Sequence, residues 1–130
     1  MDFHHIGLAT ENINNSIEVY KSFGYTATKI ICDPLQEVNI AFLEKLNSPI
    51  IELVEPINDS SPVISILKKN GTIPYHFCYE VTNIDEAILL LRKSKFILTK
   101  KPMPAVAFDG RKVAFLYNSF SGLIELLEKK

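Results

Sequence analysis

A chain of 130 residues, 47% hydrophobic and 22% charged, has the length of one ordinary domain and enough apolar mass to bury a core without disulfides or a structural metal. The formal charge of −1 excludes the basic footprint of a nucleic-acid binder or an acidic-membrane binder. The two cysteines, Cys32 and Cys78, lack metal-ligand spacing, the N-terminus lacks the apolar core of a secretion signal, and no apolar run approaches the ~18 residues of a membrane span, so a cytoplasmic setting is expected.

In chain order, Phe3 to Ala9 reads as a short strand. Asn12 can cap a helix whose apolar stripe is Ile13, Ile17, Tyr20 and Phe23, and Gly24 supplies the positive φ that commonly ends one. Tyr25 to Cys32 is rich in β-branched residues and reads as a strand, broken by Asp33-Pro34. Val38 to Leu43 and Ile50 to Val54 follow as strands. Ser61-Pro62 opens a short helix through about Lys69, and Asn70-Gly71 stops it. Tyr75 to Val81 is the next strand. Asn83-Ile-Asp-Glu86 has the form of a capping box, with Ile84, Ile88 and Leu91 as the buried stripe of its helix. Phe96 to Thr99, Lys112 to Tyr117 and Leu123 to Leu127 complete the strands. Pro102-Met-Pro104 and Asp109-Gly110 mark a longer loop between the first two of these. The basic pairs and triplets, Lys68-Lys69, Arg92-Lys93-Lys95 and Lys100-Lys101, read first as solvated faces; a patch for a phosphorylated small molecule is the lesser reading.

The two halves are copies. His5 opens His-Ile-Gly-Leu-Ala-Thr-Glu-Asn-Ile and His76 opens His-Phe-Cys-Tyr-Glu-Val-Thr-Asn-Ile, an offset of 71. Tyr25-Thr-Ala-Thr-Lys29 recurs as Phe96-Ile-Leu-Thr-Lys100 at the same offset. Ile40-Ala-Phe-Leu43 recurs as Val113-Ala-Phe-Leu116, and Ile51-Glu-Leu-Val-Glu55 as Ile124-Glu-Leu-Leu-Glu128, both at 73. Four anchors in one order define a duplicated βαβββ module. The expected fold is therefore α+β: two tandem modules pairing into curled mixed sheets around one cleft. We expect a single domain over residues 1–130, with module one at about 1–56, a linking helix at about 61–70 and module two at about 73–130.

Each copy starts on a His and ends on a Glu. Glu52 and Glu125 lie in continuous apolar runs of the kind that form strands covered on both faces, and neither run contains a Lys or Arg. A carboxylate buried there must be paired, protonated or bound to a cation. Glu55 and Glu128 lie an odd number of residues further on, hence on the opposite strand face, and read as exposed residues without a role. His4 aligns with Tyr75 and is the odd one out. Taken singly, a strand His is more commonly a hydrogen-bonded core or surface residue, and a strand Glu commonly meets an Arg or solvent. Jointly, His5, Glu52, His76 and Glu125 at equivalent places of a repeat point to a metal. Two imidazoles and two carboxylates suit one divalent ion of Zn, Ni, Co, Fe or Mn and balance its charge. Four ligands in a six-coordinate shell leave two positions open, as a catalytic site requires.

The duplicated pattern, with His-x-Gly near its start and Ile-Glu-Leu at its end, resembles the vicinal oxygen chelate superfamily over nearly the whole chain. The likeness is greatest to its glyoxalase I and methylmalonyl-CoA epimerase branch, through His5-Ile-Gly-Leu-Ala9, Ile51-Glu-Leu-Val-Glu-Pro56, Ser60-Ser-Pro-Val63, His76-Phe-Cys-Tyr-Glu-Val81 and Val113-Ala-Phe-Leu116. The resemblance places the four family metal positions on His5, Glu52, His76 and Glu125. One departure is visible: epimerase-like members often approach the second module through a Gly-rich stretch and a double His, whereas here Thr72-Ile-Pro-Tyr75 precedes a single His76.

The resemblance implies a metal-dependent enzyme that moves a proton α to a carbonyl. Glu125 is the first choice for the base, with Glu52 acting from the opposite side. An acyl-CoA thioester is the leading substrate, and the hemithioacetal of glutathione, the substrate of lactoylglutathione lyase, is the alternative. A protein that only sequesters a drug or metabolite is a further alternative, against which four intact ligands count. A homodimer is plausible from the apolar strand edges.

Overall fold

The computed structural model describes every residue, Met1–Lys130. In chain order the elements are β1 (Asp2–Ala9), α1 (Ile13–Lys21), β2 (Thr26–Ala27), β3 (Ile31–Asp33), β4 (Val38–Glu44), β5 (Ile50–Pro56), α2 (Val63–Asn70), β6 (Ile73–Val81), α3 (Ile84–Lys93), β7 (Ile97–Pro104), a 3₁₀ turn (Val106–Phe108), β8 (Lys112–Asn118) and β9 (Gly122–Glu128). This is the expected α+β arrangement of two βαβββ modules joined by a helix. Two units form, one from His5–Tyr75 and one from Met1–His4 with His76–Lys130.

In the His5–Tyr75 unit the strand order is β2-β4-β5-β1, with β3 on β4. β1 runs parallel to β5, and the other pairs are antiparallel. Asn12 caps α1 as expected, its side chain accepting from Asn15 N at 3.0 Å. Ile13 and Ile17 pack with Leu8, Ala41, Leu43 and Leu53 to form the core. Phe23 leaves the expected stripe: α1 ends at Lys21, and the ring is mostly exposed beyond it. Gly24 has φ +93°, the conformation that lets the chain reverse there. The strand expected over Tyr25 to Cys32 is split into β2 and β3. Ala27 pairs with Leu43 but Ile31 with Ile40, a shift of one residue across Thr28–Ile30. Thr28 fills the gap by donating its N–H to Phe42 O and accepting from Phe42 N on its hydroxyl, each at 2.9 Å.

In the other unit the order is β6-β9-β8-β7, with β6 parallel to β9. Asn83 caps α3, accepting from Glu86 N at 3.0 Å. Ile84, Ala87 and Ile88 pack on Val81, Ala114, Leu116, Ile124 and Leu126. The start of β1 belongs here too: Phe3 sets its ring edge-on to Phe77 and Tyr79, and Asp2 pairs with Lys129 at 2.8 Å. The stretch Pro102 to Pro104, expected as loop, is the end of β7. β7 is the edge strand, and an edge can carry prolines because an outward N–H is not needed by the ladder.

The companion acids correct the sequence reading. Glu55 is half-buried, and its Oε2 accepts from Ile13 N at 2.8 Å, at the first residue of α1. Glu128 does the same for Ile84 N of α3 at 2.9 Å. They do lie on the opposite face from Glu52 and Glu125, but that face carries the helix. An N-terminal turn has N–H groups without helical partners and a partial positive charge, so a carboxylate from the last strand anchors the helix of its own module.

Candidate metal centre

Register and pleat place the ligands in pairs. On β1, His5 stands opposite Ile50 and Gly7 opposite Glu52, so His5 and Glu52 share a face one diagonal step apart. On β6, His76 stands opposite Leu123 and Cys78 opposite Glu125, which reproduces that step. The side chains meet accordingly. His5 Nε2 lies 3.4 Å from Glu52 Oε1, and His76 Nε2 lies 3.2 Å from Glu125 Oε1.

All four are nearly sealed from solvent, at 0% exposure for His5, 3% for Glu52, 4% for His76 and 2% for Glu125. Their strand neighbours are buried as well: Leu53 and Val54 follow Glu52, and Ile124 and Leu126 flank Glu125 on the helix-side face. Each Glu meets the imidazole of its own module. A buried carboxylate needs a counter-charge, and an imidazole supplies one only when protonated. A divalent cation bound through neutral imidazoles supplies it without that proton. The His and Glu of each module thus form a donor pair that could hold a metal ion.

One feature of each pair was missed in the sequence. Phe42 stands opposite Glu52, and Phe115 opposite Glu125. Each phenyl ring meets its module's imidazole edge-on, Phe42 to His5 with centroids at 6.1 Å and Phe115 to His76 at 5.4 Å. The signal was present in the repeated Ala-Phe-Leu, but its pairing with the Glu strand depends on register. His4 is set apart from the pairs, its ring edge-on to Phe108 at 5.6 Å. Cys78 is fully buried, and Cys32 is exposed.

Residues 4–115 match the Glyoxalase/Bleomycin resistance protein/Dioxygenase superfamily, a span that holds His5, Glu52 and His76. The chain belongs to this superfamily. Among its relatives there is the mitochondrial methylmalonyl-CoA epimerase of Dictyostelium discoideum, 34% identical over 98% of this chain and 77% of that protein. A hypothetical protein of Bacillus halodurans C-125 has the same fold, with a TM-score of 0.87 and 32% identity, covering 99% of this chain and 94% of that one. The methylmalonyl-CoA epimerase of Mycobacterium tuberculosis superposes with a TM-score of 0.86 over 99% of this chain and 88% of its own, at 23% identity. Several further curated relatives are named methylmalonyl-CoA epimerases, so the superfamily branch expected from the motifs is the one found.

Proposed function

We propose that this superfamily member is a metal-dependent epimerase acting α to the carbonyl of an acyl-CoA thioester of the methylmalonyl type. The observation that carries the reading is the paired, buried His–Glu set in both modules of a chain 34% identical to a methylmalonyl-CoA epimerase. In this reading His5, Glu52, His76 and Glu125 hold one divalent ion, drawn from Zn, Ni, Co, Fe and Mn by the softness of the donors. When bound, such an ion supplies electrophilic stabilisation of the negative charge that grows on the thioester oxygen.

The chain's own groups do the rest. Glu125 takes the α-proton on a carboxylate oxygen, and Glu52 returns a proton from the other side, since inversion needs acid and base on opposite faces of the carbon. The imidazoles of His5 and His76 orient the two carboxylates. Phe42 and Phe115 exclude water beside them, which strengthens every charge interaction in the site. The substrate is an acyl-CoA, the assembly a homodimer, and the setting cytoplasmic. No helix is long and apolar enough to cross a membrane.

The test is exchange of the α-hydrogen of methylmalonyl-CoA in D₂O. Deuterium should enter the α-carbon, and a chelator should stop it. Faster turnover of the hemithioacetal of methylglyoxal and glutathione would make the protein a glyoxalase instead. No turnover of either by metal-loaded protein would leave a sequestering role. Sedimentation velocity reads the assembly state.

A further inference from the structure

The basic residues of the chain are nearly all solvated, as their spacing suggested. Lys100 is different: it is half-buried in β7, whereas its neighbour Lys101 and its counterpart Lys29 in module one are exposed. The cause is local. Leu98 pairs with Leu116 and packs on the helix-side core. Two residues on, an unbroken strand would turn Lys100 to that same face. Instead Lys100 pairs with Phe115, because Thr99 is an extra residue in the ladder. Such a bulge re-aims the side chains that follow it. Thr99 is held in place by its hydroxyl, which donates to Phe115 O at 3.1 Å.

The consequence is a row across three strands. Lys100 stands opposite Phe115, and Phe115 opposite Glu125, so all three share the face that carries His76. Two strand spacings, about 10 Å, separate the backbones of Lys100 and Glu125. No hydrogen bond or ion pair engages the Lys100 ammonium, and no carboxylate stands within ion-pair distance of it. The next row on this face is apolar and open, with Ile97 opposite Tyr117 and both side chains exposed.

A bulge that turns a cation toward the carboxylate side, with no protein partner for it, is costly unless something else uses the charge. We propose that Lys100 is a specificity-determining residue that pairs with an anionic group of the substrate, carboxylate or phosphate, while the reacting carbon sits at Glu125. The inference rests on the acyl-CoA reading given above. The bland alternative is a stem that covers Phe115 while the ammonium reaches water. Lys100→Met keeps that stem and removes the charge, and Lys100→Arg keeps the charge.

The experiment compares metal-loaded wild type, K100M and K100R with methylmalonyl-CoA and with its pantetheine thioester, which lacks the phosphates. Loss of a charged hydrogen bond to a group remote from the chemistry should raise KM at least about tenfold in K100M and leave kcat nearly unchanged, with K100R restoring KM. A rise with the CoA thioester alone identifies the phosphate, and a rise with both identifies the carboxylate. A smaller change with both thioesters overturns the proposal. If wild type exchanges no α-proton of either thioester, the acyl-CoA reading fails, and Lys100 is then judged by calorimetric titration with CoA and with malonate. At least about tenfold weaker binding of either probe to K100M sustains the anion role, and unchanged affinity, or no binding of either probe to wild type, overturns it.

Discussion

Module one and module two hold the same chemistry on different edges. Both set a His on the first strand, a Glu two residues along the parallel last strand and a Phe opposite that Glu. Both tie the helix to the last strand through a second Glu. They diverge at the edge strand. After the threonine, module one loses pairing across Lys29–Ile30 and resumes at Ile31, leaving Lys29 in solvent. Module two keeps one continuous strand with two irregularities and turns Lys100 inward. The ligand geometry sits in central, doubly covered strands, where any change disturbs neighbours on both faces. The edge has a neighbour on one side only, so it is where two copies of one module can come to differ without loss of the shared parts.

The largest test of this comparison is on the carboxylates. Glu125→Gln and Glu52→Gln keep size and an oxygen ligand but remove the basic oxygen. Each should lower epimerisation by at least about 10²-fold while the fold survives. If the two modules act from opposite faces, the two variants should differ in which epimer still exchanges its α-proton in D₂O. Full activity of Glu125→Gln at normal metal content would remove Glu125 as the base.

A second test asks whether the two His–Glu pairs serve one ion. A ligand at about a hundred times its dissociation constant stabilises the folded state by about 2.7 kcal/mol. Metal addition should therefore raise Tm, and His5→Ala and His76→Ala should each abolish most of the rise. A variant that still takes up one full equivalent with an unchanged rise would break the shared-site reading.

Third come the helix anchors, where the modules should behave alike. Glu55→Ala and Glu128→Ala each remove a carboxylate from a helix N-terminus, which costs about 1 kcal/mol, or roughly 3–5 °C in Tm. Metal content should stay at the wild-type value. Loss of metal in either variant would mean that the anchor also holds the ligand strand in place.

The smallest effect belongs to the Asp2–Lys129 pair. The ammonium of Lys129, through its hydrogen bond and its charge, holds the Asp2 carboxyl below the usual carboxylate range. A depressed carboxyl stabilises the fold above its unfolded pKa and loses that contribution as pH falls through the folded one. Both side chains are solvent-exposed and the pair is screened, so Asp2→Asn should leave Tm at neutral pH within error. A drop of several degrees would show the N-terminal strand to be held mainly by that pair.

Much of this was legible in the sequence because duplication writes each feature twice. The four buried His and Glu residues, both Asn caps and the α+β order follow from residues that recur at offsets of 71 and 73. The rest depends on facts that strand parity alone does not carry. Parity put Glu55 and Glu128 on the face away from Glu52 and Glu125, but it could not say that the helix terminus lies there and needs an acceptor. Pro102 and Pro104 looked like loop because prolines are excluded from central strands, and only the sheet order reveals β7 as an edge. Phe23 fell off the helical stripe because α1 stops at Lys21, two residues before the periodicity does. The Phe42 and Phe115 walls required the β4–β5 and β8–β9 registers, which hairpin geometry sets and composition does not.

The bulge at Thr99 implies that this face can be rewritten by register as well as by identity. A ladder without the bulge, with Thr99 itself opposite Phe115, would turn Lys100 toward the helix and set Lys101 on the face of Phe115 in its place. Changes of that kind leave few substitutions behind. Two superfamily members could thus agree at both His–Glu pairs and differ in the charge they show their substrates, because one edge strand pairs without the bulge.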